Sequence, residues 1–488
     1  MTQSRILQFY DNQNVFITGA TGFLGKVLVE KLLRSTNVAT LYILIRNKKG
    51  VDKMTRLEKI FNCALFDRLK SERPDYKKLV VPIEGDCVKE NLDLSVEDQE
   101  ELMSKINIVF HGAASVNFNE NIKIAFDINV NGTKHLLNLC KKFQDLKAVV
   151  HVSTAYVYWH LDTIDEVFYE HHLHYQQAES ILQKLSPEEA VRMTPSILKE
   201  WTTTYTFTKA LAESLVKETA DGLPIGICRV GAVIPSYNEP IENWMDSAAS
   251  LGVLLVVSLG IIRVVASEEG PKAEFVPVDL VASALIACAW DIPYQDPIPI
   301  YNYISSTDNP TSVHDFFHSF KTQISRYPLS KAMWTPRLTI ATSQIWHTIL
   351  KVLYHYIPSL LVDLLSVITL KKPQMFVKSR KYERAIDLSY SFVNKYRTFS
   401  NRNVKNLCDK MNDSDRELFP CDVRLINWDR QHNGFQKGAR IYLFNDPLST
   451  LPEAKAKMHK FDIAHRILLF TTYSILATSL WILLSSFN

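Results

Sequence analysis

The chain has 488 residues, with 55 Lys and Arg against 52 Asp and Glu and a formal charge of +3. That length allows two or three domains around a large core, and the balanced charge excludes the one-signed field of a nucleic-acid binder. Seven cysteines, odd in number and without a C-x-x-C pair, suit a reducing compartment and argue against a zinc site, so no metal is expected.

Met1 to Asn14 is polar and lacks the apolar stretch of a signal peptide. Val15-Phe16-Ile17-Thr18 then reads as a short apolar strand. It runs into Gly19-Ala20-Thr21-Gly22-Phe23-Leu24-Gly25, and a helix continues through Leu33. Gly19 permits a sharp turn, Gly22 removes a Cβ where a pyrophosphate approaches, and Gly25 permits close helix–strand packing. The first N–H groups of that helix would face the phosphates. The glycine spacing is G-x-x-G-x-x-G, which with its leading Thr resembles the extended short-chain dehydrogenase/reductase (SDR) superfamily.

Leu41 to Ile45 reads as the second parallel strand. An NAD site usually ends this strand in Asp or Glu, but here Arg46-Asn47-Lys48-Lys49 follows. Those cations suit a 2′-phosphate and therefore NADPH; the plain reading is a solvated basic loop. Val80 to Ile83 is the third strand, and Asp86 beyond it either accepts from the adenine amino group or opens a turn. Ile106 to Ala114 is the fourth strand running into small residues that allow close backbone approach, with His111 packed at the strand end. Ala148 to Thr154 is the fifth and ends in two hydroxyls, Ser153 and Thr154. Ligands of open α/β sheets sit beyond the strands' carboxyl ends, which places both hydroxyls near a reaction centre.

A long insertion, about residues 159–202, carries His171-His172-Leu173-His174. Further ligands in fixed geometry are not apparent, so a helical lid is expected rather than a metal site. Tyr205-Thr206-Phe207-Thr208-Lys209 then opens another helix. Positions i and i+4 share a helix face, so phenol and ammonium can converge. A nearby cation would lower the tyrosine pKa and make Tyr205 a proton donor near neutral pH.

With these residues read, the chain resembles an alcohol-forming, eukaryotic fatty acyl-CoA reductase. Ile17 to Gly25, Tyr42 to Gly50, His111 to Phe118, Tyr205 to Glu213, Val276 to Val281 and Tyr301 to Pro310 carry the likeness, which covers nearly the whole length. The resemblance implies an α/β fold: a Rossmann-type doubly wound parallel sheet, then a smaller mainly helical carboxy-terminal domain and a transmembrane helix. It implies Thr154, Tyr205 and Lys209 as catalytic residues. It implies Thr18, Gly19, Thr21, Gly22, Phe23, Leu24, Gly25, Arg46, Asp86, Ala113 and Lys209 as NADPH-binding residues, and a fatty acyl-CoA substrate. After Cys228-Arg229 the family usually shows Pro-Ser, where this chain has Val230-Gly231. The domains expected are 1–320 for the reductase, 338–455 for the carboxy-terminal domain and 467–484 for the anchor.

Ala248 to Ala266 is almost wholly apolar and is expected as a buried wall or an acyl-chain channel rather than a span. Leu338 to Leu370 is apolar but interrupted by Lys351, Pro358 and Asp363. Two amphipathic helices packed in a small domain are expected, with membrane-surface docking as the alternative. The basic cluster Lys371, Lys372, Lys378, Arg380, Lys381 and Arg384 follows, suited to coenzyme A phosphates, to anionic lipid or simply to solvent. Ile467 to Leu484 contains no charge and no proline, and 18 residues of helix reach about 27 Å against a hydrocarbon core of about 30 Å. Lys455, Lys457, Lys460, His465 and Arg466 precede it, and positive flanks stay cytosolic. A tail anchor with a cytosolic catalytic domain is expected, in the endoplasmic reticulum rather than the peroxisome, since Ser486-Phe487-Asn488 is not a Ser-Lys-Leu address.

Two other readings share parts of the pattern: a membrane SDR acting on sterol hydroxyl or keto groups, and a non-catalytic NADPH-binding scaffold.

Overall fold

The structure, a computed structural model, describes residues 3–47, 50–247, 252–270, 272–370, 372–383 and 395–485. Lys48, Lys49, Lys371, Arg384, the start of the apolar run at 248–251 and the terminal 486–488 lie outside the described residues. The chain forms two units whose segments alternate along it. The first comprises Met1–Glu242, Lys272–Thr311 and Tyr396–Ile426, and the second Asn243–Pro271, Ser312–Lys395 and Asn427–Asn488.

The first unit is built on a seven-stranded sheet. Its strands are β1 (Asn14–Thr18), β2 (Thr40–Ile45), β3 (Val80–Glu84), β4 (Ile108–His111), β5 (Ala148–Thr154), β6 (Ile225–Val230) and β7 (Ile300–Tyr303). Their spatial order is β7-β6-β5-β4-β1-β2-β3, every pairing parallel. The strands are short apolar runs because both faces of such a sheet are covered by helices. One face is a continuous layer to which every strand contributes: Phe16, Tyr42, Ile83, Val109, Val149, Ile227 and Ile300. The register sets Phe16 beside Tyr42 on one side and Val109 on the other. Of the helices that follow, α1 (Phe23–Ser35) packs with α4 (Val278–Asp291), which is buried along its whole length. Between them in sequence come α2 (Gly132–Cys140) and α3 (Thr204–Thr219). The insertion contributes helices Tyr175–Lys184 and Pro187–Leu198, each started by a capping box. The order reverses between β1 and β4, and that reversal opens the crevice where ligands of such sheets sit.

In the second unit, α5 (Val313–Arg326) packs on α8 (Trp428–Gly438), with Phe316 and Phe320 edge-on to Phe435 at ring distances of 5.4 and 5.8 Å. The short strands Val264–Ala266 and Thr339–Ala341 pair in parallel. The described part of the apolar run from Ala248 to Ala266 is a helix of 7 residues, Gly252–Ser258, followed by one of these strands. The 35-residue helix α9 (Leu451–Ser485) carries the uncharged stretch from Ile467.

The stretch from Leu338 to Leu370 differs from expectation in two ways. The two helices, α6 (Gln344–Lys351) and α7 (Ile357–Ile368), are joined without a loop by a π turn, Val352–Tyr356. Pro358 lies in the first turn of α7, and the widened turn before it removes the need for the N–H that proline lacks. Second, the helices are not packed all round in a small core. Ile345, Trp346, Leu353, Leu360 and Leu364 are exposed, while His347, His355 and Ser359 are buried. Among the described residues this 25-residue segment is the one helix long and apolar enough to cross a membrane, by length and composition.

The turn after β1 tightly constrains the first unit. Gly19 has φ +79°, and a Cβ there would lie 2.5 Å from the Gly112 carbonyl carbon and 2.7 Å from the Ala113 nitrogen. Gly19→Ala should destabilise the fold by about 1–3 kcal/mol through strain and this collision. Thermal unfolding in detergent should show a lower Tm, and an unchanged Tm would mean that the turn relaxes freely.

Candidate active site

The carboxyl edge of the sheet assembles the residues singled out by sequence. Thr18 ends β1, Arg46 follows β2, Asp86 follows β3, Ala113 follows β4, and Thr154 ends β5. The glycine turn lies against the Gly112–Ala113 backbone, bringing the loops after β1 and β4 together at the crevice. Thr21 and Phe23 to Gly25 are partly exposed and Gly22, the uncapped start of α1, is exposed. A Cβ on Gly22 would meet only the Gly19 oxygen, at 3.3 Å, so a ligand can approach the uncapped start of α1 closely, where the first N–H groups of a helix have no intrahelical partner. Gly25 packs against the turn itself, on the Gly19 and Ala20 backbone, rather than on the strand. The Arg46 side chain is half exposed, 4.0 Å from the Asp86 carboxylate. This cradle fits a dinucleotide: donors for a pyrophosphate, a cation beyond β2 and a carboxylate beyond β3.

Thr18 is buried, and its hydroxyl accepts from the Ala113 N–H at 3.3 Å and lies 2.7 Å from His111 Nδ1. The other ring nitrogen of His111, Nε2, is 3.1 Å from Thr133 Oγ1, which donates to the Asn129 carbonyl. The Thr133 proton is thus used, so His111 Nε2–H donates and Nδ1 accepts from Thr18. This neutral ring matches a pKa pushed down to about 3 by burial and by Lys209. His111 is the packed strand-end histidine expected, and it braces the two loops beneath the crevice.

Tyr205 lies in the first turn of α3, whose cap Thr203 accepts from the Thr206 N–H. Its ring stacks on Phe118 at 5.8 Å. Lys209 is one turn further on and buried. The ammonium donates to the Val152 carbonyl at 2.7 Å and to His151 Nε2 at 3.2 Å. Two of its three donors are thereby engaged with β5.

The expected lowering of the Tyr205 pKa by Lys209 is not what the structure shows. Burial pushes the phenol up to about 12, and a hydrogen bond from Thr154 offsets part of that rise. The reason is the direction of Lys209, which turns toward β5. Burial likewise pushes the lysine down to about 8, against an upward pull from Glu213.

Ser153 and Thr154 separate in role. Ser153 donates to Glu213 Oε1 at 2.5 Å, whereas Thr154 faces the Tyr205 phenol and lowers its pKa. Glu213 is one turn beyond Lys209 and pairs with Arg229 of β6 at 2.7 Å, both side chains wholly buried. Arg229 also donates to the Asp165 and Val167 carbonyls, each at 2.8 Å, and stacks over Tyr158. Sequence reading missed this pair and His151. The available signals were the Tyr205, Lys209, Glu213 spacing along one helix face and an arginine inside an otherwise apolar strand. It also missed Asn129, whose amide bonds Ser115 and Thr208.

At the Val230-Gly231 departure the backbone is crowded at Gly231. A Cβ on Gly231 would run into the Glu274 carbonyl, and Ala232 N–H donates to that carbonyl at 2.6 Å. The three insertion histidines do not converge: His171 meets Tyr158, His172 the Ile197 carbonyl and His174 Glu218.

Residues 17–285 match a NAD-binding family described as male sterility protein, and residues 354–446 match a second family of that description, named Sterile. Fatty acyl-CoA reductase wat of Drosophila melanogaster is 38% identical over 490 residues, covering 99% of this chain and 94% of that one. Fatty acyl-CoA reductase 1 of Homo sapiens is 32% identical over 459 residues, covering 93% of this chain and 89% of its own. Among solved structures, the terminal R domain from the myxalamid PKS-NRPS biosynthetic pathway shares the fold at TM-score 0.58 and 19% identity, covering 91% of this chain and 96% of that one. The reductase domain of a non-ribosomal peptide synthetase from Mycobacterium tuberculosis does so at TM-score 0.58 and 17% identity, covering 90% and 96%.

The buried pair predicts its own behaviour. Arg229→Met alone should cost about 3–5 kcal/mol, because it strands the Glu213 carboxylate. Combining it with Glu213→Leu should recover most of that loss, read as Tm in detergent; equal destabilisation by the single and double variants would mean the charges do not act as a pair.

Proposed function

This chain belongs to the fatty acyl-CoA reductase family, and we propose that it reduces a long-chain fatty acyl-CoA to the fatty alcohol with NADPH, in two hydride transfers through a bound aldehyde. The chain is an oxidoreductase built on a nicotinamide-nucleotide fold. The observation that carries the reading is that Tyr205 and Lys209 share one turn of α3 and that the Lys209 ammonium reaches the carboxyl-end half of β5, the strand that Thr154 ends.

The glycine turn and the first N–H groups of α1 would hold the pyrophosphate, Arg46 a 2′-phosphate, and Asp86 the adenine. The remaining donor of Lys209 would hold the nicotinamide ribose. The nucleotide, when bound, supplies the hydride. Thr154 donates to the substrate oxygen and Tyr205 transfers its proton there as negative charge develops. The Tyr205 position in the first turn of α3, where the helix dipole favours an anion, favours that transfer. Each reduction creates one oxyanion, so one set serves both. Loss of the thiol from the first tetrahedral adduct uses the same acid–base group.

A covalent thioester on the protein is not required. Cys87 and Cys228 are buried, and burial pushes the Cys87 thiol up to about 12, far from a nucleophilic thiolate. The distal half of α9 serves as the tail anchor, with the catalytic unit in the cytosol at the endoplasmic reticulum.

Tyr205→Phe should lower alcohol formation from acyl-CoA and from free fatty aldehyde alike, by about 10²–10⁴-fold. Wild-type turnover of the aldehyde by that variant would overturn the single-site reading. Arg46→Asp should raise the apparent KM for NADPH strongly and that for NADH little. Equal loss with both cofactors would mean that Arg46 does not read the 2′-phosphate.

A further inference from the structure

We propose that the Gln344–Ile368 helix lies along a lipid membrane, with its exposed apolar face in the head-group boundary and the basic residues after it against anionic phosphates. This contact is separate from the anchor at Ile467–Leu484 and independent of the catalytic reading.

The free face is large and one-sided. Trp346 is 60% exposed, Leu353 51%, Leu360 52% and Leu364 58%. Soluble surfaces rarely leave so many large apolar residues together without a partner. The opposite face is polar and held by its own unit. His355 Nε2 accepts from the Arg263 N–H at 2.9 Å, and its Nδ1 is 3.0 Å from Glu383.

At 25 residues and about 1.5 Å per residue the helix is long enough to span, but its connections oppose that. Asp363 accepts from the N–H groups of Gln374, Met375 and Phe376, and Glu383 reaches back to His355 at the middle of the helix. The chain after the helix therefore returns alongside it. That returning segment carries exposed Lys372, Lys378, Arg380 and Lys381. A span would draw these cations into hydrocarbon, whereas a helix lying flat leaves them at the phosphates.

Charge also selects lipid over a second copy of this chain. Between Gln344 and Glu383 the sequence has two carboxylates, Asp363 and Glu383. Both are bonded within the unit. The rim of the face thus presents cations, which a second copy would meet with its own and an anionic leaflet would neutralise.

The test uses the full chain in vesicles of phosphatidylcholine with or without phosphatidylserine, with a carbene-generating diazirine dissolved in the bilayer and adducts mapped by mass spectrometry. Adducts are expected on Leu353, Leu360 and Leu364 and not on His347, His355 or Ser359. Their yield should fall severalfold without phosphatidylserine, or in Lys378→Glu/Lys381→Glu, while adducts at Ile467–Leu484 stay constant. Adducts on all sides of the helix would mean a span and overturn the proposal. Absence of adducts, or cross-links between the helices of two copies, would overturn it as well. Because the two segments are read separately, loss of label at Ile467–Leu484 alone would count against the anchor and not against this surface.

Discussion

The ion pair between Glu213 and Arg229 holds together much of what surrounds the candidate active site. Both charges are wholly buried, so each depends on the other. Glu213 anchors the inner face of α3, the helix that carries Tyr205 and Lys209, and orients Ser153 at the end of β5. Arg229 ties β6 to the segment from Asp165 to Val167 at the start of the insertion. One buried pair therefore joins a helix, two strand ends and an inserted loop. An apolar pair could fill the volume, but it could not orient a hydroxyl or accept from it.

Above that pair, burial sets the chemistry. It pushes the Tyr205 phenol up and the Lys209 ammonium down, so the phenol keeps its proton at neutral pH and the cation is held by a carbonyl and an imidazole. His151 accepts from Lys209 only as a neutral ring, and burial beside a cation keeps it neutral. In the proposed reaction the phenol would therefore release its proton as negative charge develops, rather than stand as a phenolate in advance.

The second unit has a different logic. Its interior is aromatic, with α5 against α8, while one face of the segment from Gln344 to Ile368 is left apolar and uncovered. The same segment buries two histidines, which fixes which side faces the protein. An apolar surface rimmed by cations and a helix with an uncharged distal stretch lie in one unit, and both fit the lipid contact proposed above.

What the sequence determined by itself is local. A glycine turn for close backbone approach, apolar runs long enough for buried strands, and a tyrosine and lysine one turn apart each depend on neighbours a few residues away, so their spacing is readable. The parallel sheet, the glycine turn and the helix of Tyr205 follow from it. What only the tertiary structure decided rests on distant partners. Lys209 meets His151 across 58 positions and Arg229 meets Glu213 across 16, and neither distance has a sequence period. The direction of the Tyr205 pKa needed the burial of the phenol, which composition does not carry. Segments 243–271 and 396–426 join units other than those of their flanking sequence, because core contacts rather than chain order assign them. The uncovered face of Gln344–Ile368 was equally hidden, since a helical pattern marks which residues share a side but not whether protein or another medium covers it.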